Sequence, residues 1–341
     1  MLKYKKIALF NHKGGVSKTT TVFNLGWILA QKGKRIIMVD ADSQCNLTGM
    51  VVGFEELEAL YQSNNNIKDA LSSAFESKPI PIEAVECFKI KEIDNLYLLP
   101  GNIKFAEYDI TLGMAHNMSE SFITLQNLPG AINELLDKTA QKYNADYILI
   151  DMSPSLSSIN QNLFMISDYF IIPTTPDYFS IMALESLSNI LPKWYKQSKK
   201  LQNNEILEEA VYKFPKKTPK FLGNIIQKFN VRKDRPTQGF KKWFEEINKF
   251  TREKFIPKMR EKNMLLNLNC YKENYILAEI ADFQSLIAYA QEHNKPIFAL
   301  DRNDVRQSGT VWASSKNNIQ KFKEIFSNIA DDIIKITNEK C

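Results

Sequence analysis

The sequence predicts an α/β fold, a mostly parallel twisted sheet with helices on both faces. Five apolar runs, each ending in polar residues, have the length and continuity of buried parallel strands: KIALFN (6–11), RIIMVD (35–40), DYILID (146–151), DYFIIP (168–173) and FLGNII (221–226). Longer stretches with helical spacing separate them. Strand, loop, helix and strand fit into about 35 residues at the start of the chain, the size of one βαβ unit. With 341 residues, 44% hydrophobic and 24% charged, and no internal repeat, the chain reads as a single globular domain over 1–341.

The first run leads into NHKGGVSKTTT (11–21), and the residues after it follow helical spacing through Val22, Phe23, Leu25, Ile28 and Leu29, with Gly33 as the stop. The second run opens into VDADSQCNLT and the third into IDMSPSL. Between 191 and 220, prolines and lysines with little periodicity suggest an exposed basic loop or small insertion. A last helix is expected over about 317–337, where Ile319, Phe322, Ile325, Phe326, Ile329, Ile333 and Ile336 form one stripe suited to the core.

Composition excludes several classes. The basic start MLKYKKIALF has too short an apolar run for a signal peptide, and no stretch reaches the roughly 20 apolar residues of a membrane span, so a cytoplasmic protein is expected. Cys45, Cys87, Cys270 and Cys341 lie far apart with no C-x-x-C and read as free thiols; His116 and His293 read as ordinary surface residues. The net charge of +5 is unevenly spread: Lys193–Lys262 holds 20 Lys and Arg against 8 Asp and Glu, a balance of +12, leaving the rest of the chain at −7. Such asymmetry suggests a polyanionic partner for the basic part, a solvated lysine-rich face being the alternative.

The chemistry is concentrated in the first loop. A loop between a buried strand and a helix can wrap phosphates with backbone N–H groups at the helix N-terminus, where the dipole favours negative charge. Gly14 and Gly15 permit the close approach, Lys18 would reach the β- and γ-phosphates, and the Thr19 hydroxyl would ligate Mg²⁺. Asp40 and Asp42 follow the second strand, at the edge where open α/β sheets bind ligands. Asp151 ends the third, the position of a carboxylate that holds Mg²⁺ through water. The glycines of the ordinary G-x-x-x-x-G-K-[ST] motif are replaced by His12 and Ser17, and a second lysine, Lys13, has been added.

Those segments, with NLYLLPGNIKFAE, FIIPTTPDYFSIMALESL and LAEIADFQSLIAYAQEHNKPIFALD, resemble in order the deviant-Walker ATPases of the ParA/MinD superfamily, most closely the ParA partition proteins. The resemblance covers most of the chain. It implies a P-loop NTPase fold of the deviant Walker A type, ATP and Mg²⁺ as cofactors, and slow, partner-stimulated hydrolysis. Lys13 would be the signature lysine that crosses an ATP-bound homodimer to the other subunit's phosphates. The loop Gly14, Gly15, Val16, Ser17, Lys18, Thr19 and Thr20 would hold the nucleotide, with Thr20 near the α-phosphate. Asp42 would orient the attacking water, Asp40 would stand in the magnesium second shell and Asp151 would be the Walker B carboxylate. Gln227 and Asn230, at the end of the fifth strand, are candidates for the adenine.

The resemblance also implies sequence-independent binding of double-stranded DNA, for which Lys228, Arg232, Lys233, Arg235, Lys241 and Lys242 are the candidates, and a ParB-like adaptor, with association to the nucleoid. Where many partition ATPases carry an arginine in R-L-A-E, this chain has Ile276 before Leu277, Ala278 and Glu279. No helix-turn-helix precedes the loop, so sequence-specific repression is not expected. A MinD-like membrane switch is the alternative, but the polar face of the last helix mixes Lys321, Lys323 and Lys335 with Glu324, Asp331 and Asp332, whereas an interfacial helix would be mainly basic. An amidoligase or electron-transfer relative would need a glutaminase domain or cluster-binding cysteines, and neither is visible.

Overall fold

The structure, a computed structural model, describes residues 4–118, 123–232, 235–236 and 238–338. Among the described residues ten strands form in chain order: β1 (Lys5–Leu9), β2 (Ile36–Ala41), β3 (Phe88–Lys89), β4 (Leu96–Leu99), β5 (Tyr147–Met152), β6 (Tyr169–Thr174), β7 (Lys220–Phe229), β8 (Val231–Arg232), β9 (Arg235–Pro236) and β10 (Ile276–Ala281). Eight make one sheet in the order β10-β7-β6-β1-β5-β2-β4-β3, parallel throughout except for β3 against β4. The short β8 and β9 pair with each other, antiparallel.

The five apolar runs of the sequence are β1, β2, β5, β6 and β7. They are apolar without interruption because both faces are covered. On β1, Ala8 packs into the core on one side of the sheet and Ile7 and Leu9 into the core on the other; on β5, Ile148 and Ile150 alternate in the same way with Tyr147 and Leu149. One core is closed by the helices Leu128–Lys142, Ser158–Met165 and Tyr178–Gln202, the other by Lys18–Gln31 and Gly309–Asn338.

That last helix starts earlier than the expected 317, and its apolar stripe is consumed by the fold. Ile319, Phe322, Phe326, Ile329, Ile333 and Ile336 are buried, and Thr337 shares a 2.6 Å hydrogen bond with the Tyr147 hydroxyl of β5.

Two expectations are corrected. Much of the 191–220 segment is not a loop: the helix Tyr178–Gln202 runs through Pro192, burying Leu191, Trp194, Ser198 and Leu201, and irregular chain follows only after a short turn of helix at Glu205–Glu208. Its lysines hid an apolar stripe on one face. His116 is not a surface residue. It is 3% exposed, 3.0 Å from the Asn162 amide, and burial pushes its pKa down to about 4. Of the cysteines, Cys45 is buried, Cys87 and Cys270 are half-buried, and Cys341 lies outside the described residues.

Gly130, in the first turn of the helix Leu128–Lys142, is where chain 211–214 crosses closely: a Cβ there would stand 1.9 Å from the Tyr212 carbonyl oxygen. Gly130→Ala is therefore expected to destabilise the protein by at least about 2 kcal/mol, because backbone must move. Gly239→Ala, with no atom within 4 Å of the new Cβ, should be neutral or stabilise by about 0.5 kcal/mol. Urea midpoints measure both, and equal midpoints would show that the crossing is soft.

Candidate active site

Strand β1 lies between β5 and β6, where the chain order turns in opposite directions, so the loop that leaves its carboxyl end opens into the crevice where such sheets bind ligands. Both ends of that loop are anchored. The Asn11 side chain donates to the Pro173 carbonyl at 2.8 Å and accepts from the Lys13 N–H at 2.9 Å. The Gln227 amide donates to the Val16 carbonyl at 3.1 Å and to the Thr21 hydroxyl at 2.9 Å. Gly15 has φ +71°, and Ser17, where a glycine is commoner, also takes the left-handed conformation, at φ 59°. A side chain there costs about 1–2 kcal/mol. The Ser17 carbonyl, bonded to the Thr21 N–H at 3.0 Å and hydroxyl at 2.7 Å, holds the turn. Ser17 thus makes the left-handed turn itself, without a glycine.

The two lysines are held differently. Lys18 is buried, and its ammonium donates to the carbonyls of Asn11 at 2.9 Å and Lys13 at 3.3 Å; burial lowers its pKa, against the pull of Asp151 and Asp42. Lys13 turns back on its own chain. Its ammonium meets Asp177 at 2.6 and 2.7 Å, the Thr175 hydroxyl at 2.6 Å and the Ser180 hydroxyl at 3.0 Å. Asp177 also caps the helix Tyr178–Gln202 through the Ser180 N–H at 2.9 Å. Although partial burial works to raise its pKa, the bonds from Lys13, Thr175 and Ser180 hold it below the usual range.

The three aspartates differ as well. Asp40 and Asp151 face each other in the β2–β5 register and are fully buried. Asp40 is satisfied: one oxygen accepts from the Thr48 N–H at 2.7 Å and hydroxyl at 2.6 Å, the other from the Asp42 N–H at 3.2 Å. Burial still pushes its pKa up to about 6. With both oxygens engaged, Asp40 braces Thr48 and Asp42 more than it offers itself to a metal. Neither oxygen of Asp151 has a hydrogen bond of ordinary geometry. Burial, then the neighbouring Asp40, push its pKa well up, with Thr19 and Lys18 pulling against them. Such an orphaned hard oxygen donor beside the Thr19 hydroxyl fits a divalent cation such as Mg²⁺. Asp42, 6% exposed, holds its own turn by accepting from the Gln44 N–H at 3.0 Å.

A cleft of about 680 Å³ runs outward from the loop. Gly15, Val16, Ser17, Lys18, Thr19, Thr20, Asp42 and Pro154 line it at the loop and the strand ends beside it; Met50, Leu57, Asp282, Phe283, Ile287 and Gln291, from other segments, complete the wall. Gly14 lies on the exposed crest of the loop. Neither adenine candidate lines the cleft: Gln227 is turned inward as the loop's clamp, and Asn230 is exposed beyond the end of β7. Lys228, by contrast, is in the cleft wall. Lys241 and Lys242 are exposed on the helix Gln238–Phe250, Arg232 and Arg235 pair backbone to backbone in β8 and β9, and Lys233 lies outside the described residues.

Sequence reasoning passed over Asp177, Thr48 and the outer wall around Phe283. Asp177 carries a legible signal, an Asp three residues before Ser180 at a helix start. Its bond to Lys13, 164 residues away, does not.

Because the folded pKa of Asp151 is raised, the folded state binds more protons than the unfolded one. The penalty is absent below the unfolded pKa and grows as pH rises toward the folded value. Asp151→Asn is therefore expected to make the ligand-free protein more stable, by about 2 kcal/mol at neutral pH and less at about pH 5. Denaturant melts in a chelating buffer measure this, and a less stable variant at about pH 8 would show that Asp151 already has a compensating partner.

The AAA_31 family, an AAA domain, matches residues 4–206. The chain is 29% identical over 266 residues to the sporulation initiation inhibitor protein Soj of Bacillus subtilis, covering 77% of this chain and 86% of Soj. It is 28% identical over 188 residues to the chromosome partitioning protein ParA of Caulobacter vibrioides, covering 55% and 62%. Its fold is that of a plasmid partition protein of Borrelia burgdorferi B31 solved with AMPPNP, with a TM-score of 0.54, 22% identity, and 98% of this chain and 99% of that one covered. With a loop, a strand order and a family match that agree, the chain belongs to the ParA family of P-loop NTPases.

Proposed function

We propose that this protein is an ATP-dependent dimerising switch that binds DNA without sequence preference and hydrolyses ATP slowly, in plasmid or chromosome partition or in positioning another cargo. The observation that carries this is the loop Asn11–Thr20, clamped at both ends, with buried Lys18 beside an uncompensated Asp151. The names of its relatives Soj and ParA, and the AMPPNP in the Borrelia protein, favour the same reading.

In this mechanism the backbone N–H groups of Gly14–Thr20 and the ammonium of Lys18 would cradle the phosphates, and Thr19 and Asp151 would hold magnesium. The metal, when bound, would neutralise charge on the β- and γ-phosphates. Asp42, fixed by Gln44 and by Asp40, accepts a hydrogen bond from the attacking water and orients it. Lys13 must leave Asp177, Thr175 and Ser180 to reach a second subunit's nucleotide, so the monomer holds its lysine back until a dimer forms.

Exposed apolar side chains favour the dimer. Ile110 (72% exposed), Leu156, Tyr178, Phe179 (67%) and Met182 lie on the helix Asp109–Met118, the chain just before the helix Ser158–Met165 and the helix Tyr178–Gln202, and Ser158–Met165 packs against both other helices, a surface suited to a second copy. The basic segment supplies DNA contacts, and a ParB-like adaptor would stimulate turnover. The membrane alternative loses its support because the apolar face of the C-terminal helix is buried against the sheet. Among the described residues no helix is long and apolar enough to cross a membrane.

Light scattering tests the switch. With Mg–ATP, Asp42→Ala should accumulate as a dimer because binding survives and hydrolysis does not, and Asp177→Asn, which keeps the helix cap but releases Lys13, should dimerise at several-fold lower ATP. A strictly monomeric Asp42→Ala at saturating ATP would sink the proposal.

For DNA, log affinity of the ATP form should fall with log salt at a slope of about −0.9 per phosphate contact. Lys241→Glu with Lys242→Glu should flatten that slope with ATPase activity retained. Binding to anionic vesicles but not to duplex DNA would return the membrane reading.

A further inference from the structure

Lys228 belongs by sequence to the basic 193–262 segment, yet the structure separates it from Lys241 and Lys242. It lines the cleft that begins at Gly15–Thr20, while Lys241 and Lys242 are exposed on the helix Gln238–Phe250 and do not line it. Among the described lining residues the cations are Lys18 and Lys228; Lys18 belongs to the phosphate loop, where it donates to the Asn11 and Lys13 carbonyls.

The backbone explains how a lysine comes to point there. Lys228 has φ +60°, a conformation that costs a side chain about 1–2 kcal/mol. It is also the residue passed over in the β7–β10 ladder: Ile280 pairs with Gln227 and Ala281 with Phe229, so Lys228 is a one-residue bulge. Both its neighbours are pinned. Gln227 is bonded to Val16 and Thr21 of the phosphate loop and helix, and the Phe229 carbonyl accepts from the Asp282 N–H at 3.0 Å. Bulges and left-handed residues persist where the surroundings over-determine them, and they re-aim a side chain. This one is fixed to the phosphate loop on one side and to the cleft's outer wall on the other.

We infer that Lys228 is a nucleotide-binding residue, its ammonium donating to the α-phosphate and nucleoside half of a bound purine nucleotide. This deepens the nucleotide reading proposed above and rests on it. The γ-phosphate would lie by Asp42 and Lys18, whereas Lys228 sits between Gln227, bonded to Val16 and Thr21 where the loop meets its helix, and Phe229, bonded to Asp282. Its contact is therefore common to ATP and ADP. It does not act as part of the DNA surface.

Lys228→Gly tests this well, because glycine accepts the left-handed backbone and removes only the side chain. Binding of Mg–ATP and of Mg–ADP should each weaken about tenfold, as for a lost charge-assisted hydrogen bond. Lys228→Arg should recover most of that affinity. With nucleotide raised to saturation, the DNA affinity of Lys228→Gly and its salt slope should match the wild type. If wild-type protein binds Mg–ATP and Lys228→Gly binds it equally well, this inference fails alone. If Lys228→Gly instead loses DNA at saturating nucleotide, the lysine belongs to the DNA surface. If the wild type binds neither nucleotide, the nucleotide reading falls and this inference with it.

Discussion

Three charged groups, Lys18, Asp40 and Asp151, are buried together at the carboxyl edge of the sheet, and among the described residues none forms an ion pair. Burying a charge without a partner is costly, and the surrounding chain is arranged around that cost. Lys18 is solvated by carbonyls of its own loop, which fixes the loop's path. Asp40 is solvated by Thr48 and the Asp42 N–H, which fixes the start of the helix Asn46–Val52 and the turn carrying Asp42. Asp151 is left without such compensation, and so it is the place where a ligand gains most by binding.

The same economy of contacts ties distant parts of the chain to the site. Gln227 joins the end of β7 to the phosphate loop, and the Asn294 amide donates to the Met50 carbonyl at 3.0 Å, holding the end of the helix Asn46–Val52. Gly53 has φ +79°, and a Cβ there would stand 2.8 Å from the Asn294 side-chain oxygen. The Ile297 N–H donates to the Asn24 side chain of the first helix at 3.0 Å. Residues beyond 220 therefore set the geometry of loops within the first 55, so mutations far along the chain can alter the cleft without lining it.

The basic segment, read along the sequence, is one stretch of +12. In three dimensions it divides into several environments: a buried-edged helix up to Gln202, a lysine in the cleft wall at 228, and an exposed amphipathic helix over Gln238–Phe250. Charge density in sequence reports the sum over these places. It says nothing of which lysine faces which ligand.

The strands, the parallel sheet, the phosphate loop with Gly15 and Lys18, and the strand-end aspartates were legible because each is written locally. Period, run length and the residues at a strand's end are properties of neighbours in the chain. The last helix was legible too, since Ile319 to Ile336 keep one stripe through five turns. What the sequence left undecided depends on contacts between distant segments. His116 is buried because the helix Ser158–Met165 covers it, and Gln227 is a clamp because β7 ends beside Val16. Lys13 rests on Asp177, and Lys228 turns into the cleft at a bulge that exists only because β10 pairs beside β7. Periodicity determines which residues form elements and which face is apolar. The direction of a single polar side chain is decided by whichever partner the completed fold brings within about 3 Å, and that information is absent from any one segment of the chain.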